Sequence, residues 1–279
     1  MVATDVGPAL NADWTCMTPI TLALLQAAPT DRSFSDVLND LEAALKDAAQ
    51  QKVDLLLTPE LFVCGYGQAD RTRAMAVSQD SSFMHQVCDL VKAHRVGLVL
   101  GYSEQAGTQR YNSAAYIDAS GHLAHNYRKQ FLPCDYEKEC FSTGSSGSLF
   151  TVAGVQCALL ICYDIEFPEN ARKAALAGAS VLLIPTALNA NWRIVSDVVV
   201  PSRAYENSIF VAYCDFAATN QGTGPGFSGL SKVCGPDGRD LVRANLTPAL
   251  ITTTLNLDEI QTVRDQLHMV RDIAPPMLP

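Results

Sequence analysis

A carboxylate, an ammonium and a thiol sit where three apolar runs of this chain give way to polar residues. LLLTPE ends on Glu60, AHNYRK ends on Lys129 and ALLIC ends on Cys162. Brought to one place, these groups could break an acyl bond by nucleophilic attack. A free thiol has a pKa of ~8.5 and is mostly protonated at neutral pH, so a nucleophilic cysteine needs a base or a positive field beside it. Glu60 can take the proton. Lys129 can stabilise both the thiolate and the oxyanion that forms when sulfur attacks a carbonyl. A helix expected to begin at Pro168, just downstream, adds a modest favourable field from its first turn. Taken singly, each residue has a plainer reading. Cys162 is one of nine cysteines and could be core filler, Glu60 could be solvated after its Thr-Pro turn, and Lys129 could form a surface pair with Arg128. Spacing alone leaves both readings open; the joint placement favours chemistry.

The elements that must carry these residues alternate between strand and helix. ITLALLQ (20–26) reads as a buried strand. SFSDVLNDLEAALKDAAQQK (33–52) reads as a helix with Ser33 as its N-cap and Phe34, Val37, Leu38, Leu41, Leu45 and Ala48 on one face. Strands VDLLL (53–57) and GLVLGY (97–102) flank a helix over 82–95, and 114–129 reads as two strands joined at Ser120-Gly121. In the second half, strand VQCALLIC (155–162) leads to helix PENARKAALAG (168–178), opened by Pro168 and stopped by Gly178, and then to strand VLLIPT (181–186). A helix over 197–207, strand IFVAYCDF (209–216), a hairpin over 231–244 turning at Pro236-Asp237-Gly238, strand ITTTLNL and a helix over 258–267 complete the rhythm. STGSSGS (142–148) is a polar loop. This alternation predicts an α/β protein with helices covering a sheet. Ligand sites in such proteins lie at the carboxyl ends of strands, where the three residues fall.

Composition narrows the partners. With 279 residues, 48% of them hydrophobic and 18% charged, the chain can bury a large core. Its net charge of −9, with no run of more than two Lys/Arg, argues against nucleic acid and anionic membranes. The N-terminus lacks a basic start followed by an apolar stretch, and no apolar run approaches the ~20 residues of a membrane span, so a cytoplasmic protein is expected. Residues 1–18 are expected as a loose leader, 19–267 as one domain and 268–279 as a C-terminal arm.

The cysteines at 16, 64, 88, 134, 140, 157, 162, 214 and 234 are odd in number and include no C-x-x-C pair. They read as reduced thiols rather than a disulfide framework or a zinc site. Of the five histidines only His122 and His125 are close in sequence, so neither metal nor cofactor is expected. A redox-sensing thiol protein is the competing class of function. Against it, no resolving cysteine adjoins Cys162, and alternation puts Cys157 on the opposite face of the same strand. A serine-hydrolase-like turn is disfavoured because G-x-C-x-G is absent.

Three longer motifs surround the three residues, in this order: TPELFVCGY (58–66), NYRKQFLPCDYEKECFSTG (126–144) and LLICYDIEFPENAR (159–172). They resemble the nitrilase superfamily of carbon–nitrogen hydrolases. The likeness runs from ITLALLQAAP to about Leu267, with IPTALNANW (184–192), SRAYENSIFVAYCD (202–215) and SGLSKVCGPDG (228–238) as its later features. For fold, the resemblance implies a single-domain four-layer α-β-β-α sandwich over 19–267. For assembly, it implies a homodimer or larger homo-oligomer, with the C-terminal arm lying on a partner subunit.

For chemistry, the resemblance implies a Glu60–Lys129–Cys162 triad with a second glutamate in a Y-E-K-x-x-F segment. Glu137 in DYEKECF fits that place, and Asp135 and Glu139 compete for it. The implied reaction is hydrolysis of a non-peptide C–N bond by water through a cysteine thioester, with the Tyr163 N–H helping to hold the oxyanion. Members acting on nitriles usually follow their cysteine with Trp-Glu; Tyr163-Asp164 here implies an amidase or N-carbamoyl hydrolase. Carbamoyl-amino-acid hydrolases carry arginines soon after the cysteine, whereas this chain has only Arg172, expected to pair with Glu166 or Glu169. The style of CYDIEFPENAR and IPTA is most similar to bacterial amidases of short linear amides, including those for 5-aminopentanamide and the related stereoselective amidases. The substrate is then a small amide, ω-amino amides included, with N-carbamoyl amines and then nitriles as alternatives. The implied pocket draws on the loop after Cys64, on Ala187, Asn189 and Trp192, and on the loop before Ser228. Glu104 and Asp135 are candidates to receive a substrate amine.

Overall fold

Alternation along the strands decides how the chain layers. In β1 (Ile20–Gln26), Ile20, Leu22 and Leu24 enter one core and Ala23 the other. In β2 (Leu55–Leu57), Leu55 and Leu57 join the first core and Leu56 the second. β3 (Gly97–Ala106) repeats the split, with Val99 on one side and Leu98 and Leu100 on the other. Strands that are apolar on both faces need a cover on each side.

The computed structural model describes residues 18–145, 147, 149–218 and 226–273. The expected leader up to residue 17, residues 219–225 of the loop expected before Ser228 and the end of the expected arm from residue 274 lie outside them. β1, β2 and β3 run parallel and are joined by β4 (Gln109–Ile117), β5 (Leu123–Arg128) and β12 (Ala249–Leu255) in the order β12-β1-β2-β3-β4-β5. The second sheet orders β11 (Asp240–Arg243), β10 (Lys232–Cys234), β9 (Phe210–Cys214), β8 (Val181–Pro185), β7 (Val155–Leu159) and β6 (Leu149–Val152), with β7, β8 and β9 parallel. Inner residues of both sheets share one apolar core, which extends to α5 (Pro168–Leu176) and α6 (Val200–Asn207) through Ala171, Ala174, Val200 and Ala204. On the other side α1 (Phe34–Gln50) and α3 (Ser82–His94) pack against the first sheet. The result is the expected α-β-β-α sandwich. α1 starts as its sequence predicts: Ser33 and Asp36 close a reciprocal capping box.

Several elements depart from expectation. The strand expected over 155–162 stops at Leu159, and Cys162 opens a 3₁₀ turn instead (Cys162–Glu166). The helix expected from 197 begins as a π turn, Val195–Val199, before becoming α6. α2 (Ala69–Ala74), α4 (Asp135–Cys140), β6 and α8 (Met269–Asp272) are unanticipated; none spans enough residues to show a period. α7 (Asp258–Gln266) is where it was expected. Among the described residues no helix is long and apolar enough to cross a membrane.

Candidate active site

Glu60 is set by a close approach of backbones. Beyond the end of β2, the Thr58 amide and hydroxyl both donate to the Val99 carbonyl of β3, each at 3.0 Å. Gly101 returns its own N–H to Thr58 Oγ1 at 3.0 Å. A Cβ at Gly101 would lie 2.1 Å from the Pro59 oxygen, so only glycine lets the Thr-Pro turn seat here. Glu60 then crosses to the second sheet's territory, its N–H donating to Thr186 O at 3.2 Å. Leu61 follows in the left-handed region with φ +51, a costly conformation for a γ-branched residue. Far from being solvated, Glu60 is fully buried.

Lys129 continues from β5. Its N–H donates to Asn112 O and its carbonyl accepts from Gly144 N–H, both at 2.8 Å. Its ammonium donates to Glu60 Oε1 and to Glu137 Oε1, each at 2.7 Å, and all three side chains are buried. Of the acids around α4, Asp135 and Glu139 are exposed, Glu139 pairing with Arg73, so Glu137 alone reaches Lys129. Glu137 Oε1 also accepts from the Tyr66 hydroxyl at 2.7 Å. Burial works against the Lys129 ammonium, but Glu60 and Glu137 more than offset it and hold its pKa above the ordinary lysine value. Burial, opposed by Lys129 and reinforced by Glu60, raises the Glu137 carboxyl above the usual range.

Cys162 owes its position to the turn that replaces the end of its strand. It has φ +47, and Asp164 closes the turn by accepting from Ile161 N–H at 3.1 Å while donating its own N–H to Ile161 O at 3.0 Å. The buried Asp164 carboxylate also accepts from Tyr127 OH at 2.9 Å and Phe131 N–H at 3.0 Å, which ties this turn to the segment that carries Lys129. Such a left-handed residue costs about 1–3 kcal/mol and persists only where its surroundings hold it. Cys162 is half-buried as a residue, and its sulfur is the buried part. Burial of the sulfur, then the charge of Glu60, push the thiol pKa well above its ordinary value; Lys129, the Thr186 hydroxyl and the Ala187 amide oppose that. The resting thiol therefore keeps its proton at neutral pH. Tyr163, second in the turn, has an N–H without an intrahelical acceptor.

Around this centre Asp215 braces two loops. It accepts from Leu188 N–H at 3.1 Å, Phe216 N–H at 2.8 Å and Ser228 Oγ at 2.6 Å. Asn189 bridges to Phe227, and the Tyr66 ring meets Tyr136 and Phe227 edge-on at 5.1 and 6.5 Å. The resulting wall beside Glu137 is aromatic. Trp192 does not belong to it as a packed wall: it ends a 3₁₀ turn and is 64% exposed. Nor is Glu104 open to an amine. Arg128 grips it at 2.7 and 2.9 Å, and Ser113, Asn126 and Gln79 take up the rest of its oxygens. Arg172 forms no ion pair with Glu166 or Glu169; Glu206 is the acid whose charge reaches it, and its Nη1 is buried without a hydrogen bond. Sequence reasoning missed Asn112, Asp164, Thr186 and Asp215 as supports. Asp164 was legible in the motif after Cys162, whereas Asn112, inside a strand, carried no local signal.

A family model described as carbon-nitrogen hydrolase matches residues 21–265 of this chain. A protein of Pseudomonas protegens described as a hydrolase in the pqqF 5' region is 36% identical over 238 residues, covering 84% of this chain and 82% of that one. An (R)-stereoselective amidase of a Pseudomonas species is 29% identical over 243 residues, covering 87% and 86%. Among solved structures, a cysteine-to-alanine mutant of the amidase from Nesterenkonia sp. AN1, in complex with butyramide, superposes with a TM-score of 0.79 at 31% identity. That match covers 89% of this chain and 95% of the other.

Proposed function

The chain belongs to the carbon–nitrogen hydrolase family and is an enzyme acting on amides, and from that premise we propose that it converts short linear amides to the carboxylic acid and ammonia through a thioester on Cys162. In this reading Glu60 takes the proton from Cys162 as sulfur bonds to the amide carbonyl carbon. The oxyanion is held by the Lys129 ammonium and the Tyr163 N–H. As the C–N bond breaks, Glu60 passes its proton to the nitrogen and ammonia leaves. Glu60 next takes a proton from water, the hydroxide adds to the thioester, and as the C–S bond breaks Glu60 returns that proton to sulfur, releasing the acid and regenerating the thiol and the carboxylate. Glu137 holds Lys129 from the other side and helps place the scissile group.

The observation that carries this reading is the single ammonium donating at 2.7 Å to two buried glutamates, one of which, Glu60, lies near enough for its charge to act on the Cys162 thiol. The acyl group is proposed to be short and uncharged. The wall by Tyr66 is aromatic, Glu104 is occupied by Arg128 and Asp135 is exposed, so neither candidate for an ω-amine supports one. The structural relative bound to butyramide points the same way.

An ammonia-release screen over short amides, ω-amino amides, N-carbamoyl amines and nitriles tests the substrate, with short uncharged amides expected to be fastest. Cys162→Ala should lower turnover by about 10³-fold or more. Near wild-type turnover by that variant, or activity on nitriles alone, would overturn the reading. All eight described cysteines are free, which fits a reducing compartment, and a cytoplasmic location forms part of the proposal. So does a second copy of the chain covering the exposed apolar residues between Trp192 and Tyr205.

A further inference from the structure

The two glutamates beside Lys129 are held in matching ways. Glu60 Oε1 accepts from Lys129 Nζ at 2.7 Å and from Asn112 Nδ2 at 2.6 Å. Glu137 Oε1 accepts from Lys129 Nζ at 2.7 Å and from Tyr66 OH at 2.7 Å. In both cases one oxygen takes a cationic and a neutral donor, while Oε2 is buried and makes no hydrogen bond to the protein. The Asn112 amide can be oriented only one way here, because an ionised carboxylate accepts and cannot donate. Asn112 also binds Lys129 through its backbone, accepting the Lys129 N–H at 2.8 Å. It sits in the interior of β4 and is 1% exposed, so one rigid strand residue grips both partners.

We infer that Asn112 is a positioning residue that decides which oxygen of Glu60 handles protons. With Oε1 occupied by two donors, a proton there would displace one of them. Oε2 is therefore the oxygen that takes the proton from sulfur, gives it to the leaving nitrogen and later takes one from water. The inference rests on Glu60 being the base of the proposed reaction. The other groups that face Glu60 are the ammonium of Lys129, the carboxylate of Glu137, the thiol of Cys162 and the phenol of Tyr66. The Asn112 amide is uncharged, so removing it takes a donor from Glu60 without changing any formal charge.

The test measures kcat and KM separately for Asn112→Leu and the unaltered enzyme on one short amide, with Tm and Cys162→Ala measured alongside. Leucine keeps the branched shape and removes the donor. The expected result is a loss of about tenfold to a hundredfold in kcat with KM little changed. A structural defect alone would lower Tm and raise KM along with the loss of rate, and that outcome overturns the inference. Should Asn112→Leu fail to fold, Asn112→Ser, whose hydroxyl is too short to reach Oε1, carries the same expectation and the same refutation. Full activity in Cys162→Ala would instead refute the underlying reaction, so the two failures are distinguishable.

Discussion

At the scale of single residues the centre works by saturating one oxygen of each glutamate. Tyr66 does for Glu137 what Asn112 does for Glu60, and Tyr66→Phe removes that hydroxyl while leaving the ring against Tyr136 and Phe227. A hydrogen bond to a charged group is worth about 1.5–3 kcal/mol, so kcat/KM should fall at least about tenfold. The pH dependence has a definite sign. Burial already raises the Glu137 carboxyl, and the Tyr66 hydrogen bond lowers it. Without Tyr66 the carboxyl protonates at still higher pH, so the variant should lose most activity on the acid side. Steady-state rates between pH 5 and 8 measure this, and a profile superimposable on that of the unaltered enzyme would show that Lys129 holds Glu137 unaided. The resting Cys162 thiol obeys the same logic: it is raised by burial and by Glu60, so its reactivity depends on a base taking its proton.

At the scale of elements, the site depends on how strands end. Glu60 is reached only because the Thr58-Pro59 turn lies directly on β3 at Gly101, where an added Cβ would meet Pro59 O at 2.1 Å and Leu61 N at 2.9 Å. Both contacts are backbone and cannot swing aside. Gly101→Ala should therefore cost about 2 kcal/mol or more by overpacking and lower kcat/KM by displacing Glu60. Chemical denaturation and amide turnover check the two effects together; unchanged stability with unchanged turnover would mean that the turn tolerates the shift. Much of this layer was legible in the sequence. β1, α1 and its Ser33 cap, α5 with Pro168 at its start and the hairpin of β10 and β11 follow from periodicity and turn chemistry, which are local. Glu60, Lys129 and Cys162 could be picked out as candidates because each lies near the end of an apolar run, and Glu137 because DYEKECF resembles the family's Y-E-K-x-x-F segment. What the sequence hid is non-local or conformational. The left-handed Cys162 depends on Asp164 bonding across to Tyr127 and Phe131, and Asn112 meets Glu60 only once β4 is laid beside β3. Six-residue α4 is too short to announce itself, yet it is what turns Glu137 inward while leaving Asp135 and Glu139 outside.

At the scale of the whole molecule, the centre is a seam between two sheets. Glu60, Asn112 and Lys129 belong to the first sheet and its loops; Cys162, Thr186 and Ala187 belong to the second. Glu60 N–H reaching Thr186 O, and Cys214 Sγ reaching Leu25 O and Leu57 O at 3.4 and 3.3 Å, hold the sheets in register across that seam. The geometry of the site is therefore only as fixed as the packing of the two halves, and the outer layers matter to it. On the α6 side that layer is left incomplete: Trp192, Ile194, Val198 and Tyr205 are 64, 59, 51 and 39% exposed within one stretch of chain. Single exposed apolar residues are ordinary, but four in fourteen positions form the kind of apolar patch that marks interaction sites, and the proposed second copy is its candidate occupant. If the occupant is a second copy, sedimentation velocity should give the unaltered protein at least twice the mass of one chain. Introducing like charges with Ile194→Glu and Val198→Glu, which cannot pair with each other, should return it toward a single chain, because an unpaired charge buried at an interface costs several kcal/mol. A single-chain mass for the unaltered protein across the accessible concentration range would refute the self-association, and a mass unaffected by the two charges would place the interface elsewhere on the sandwich.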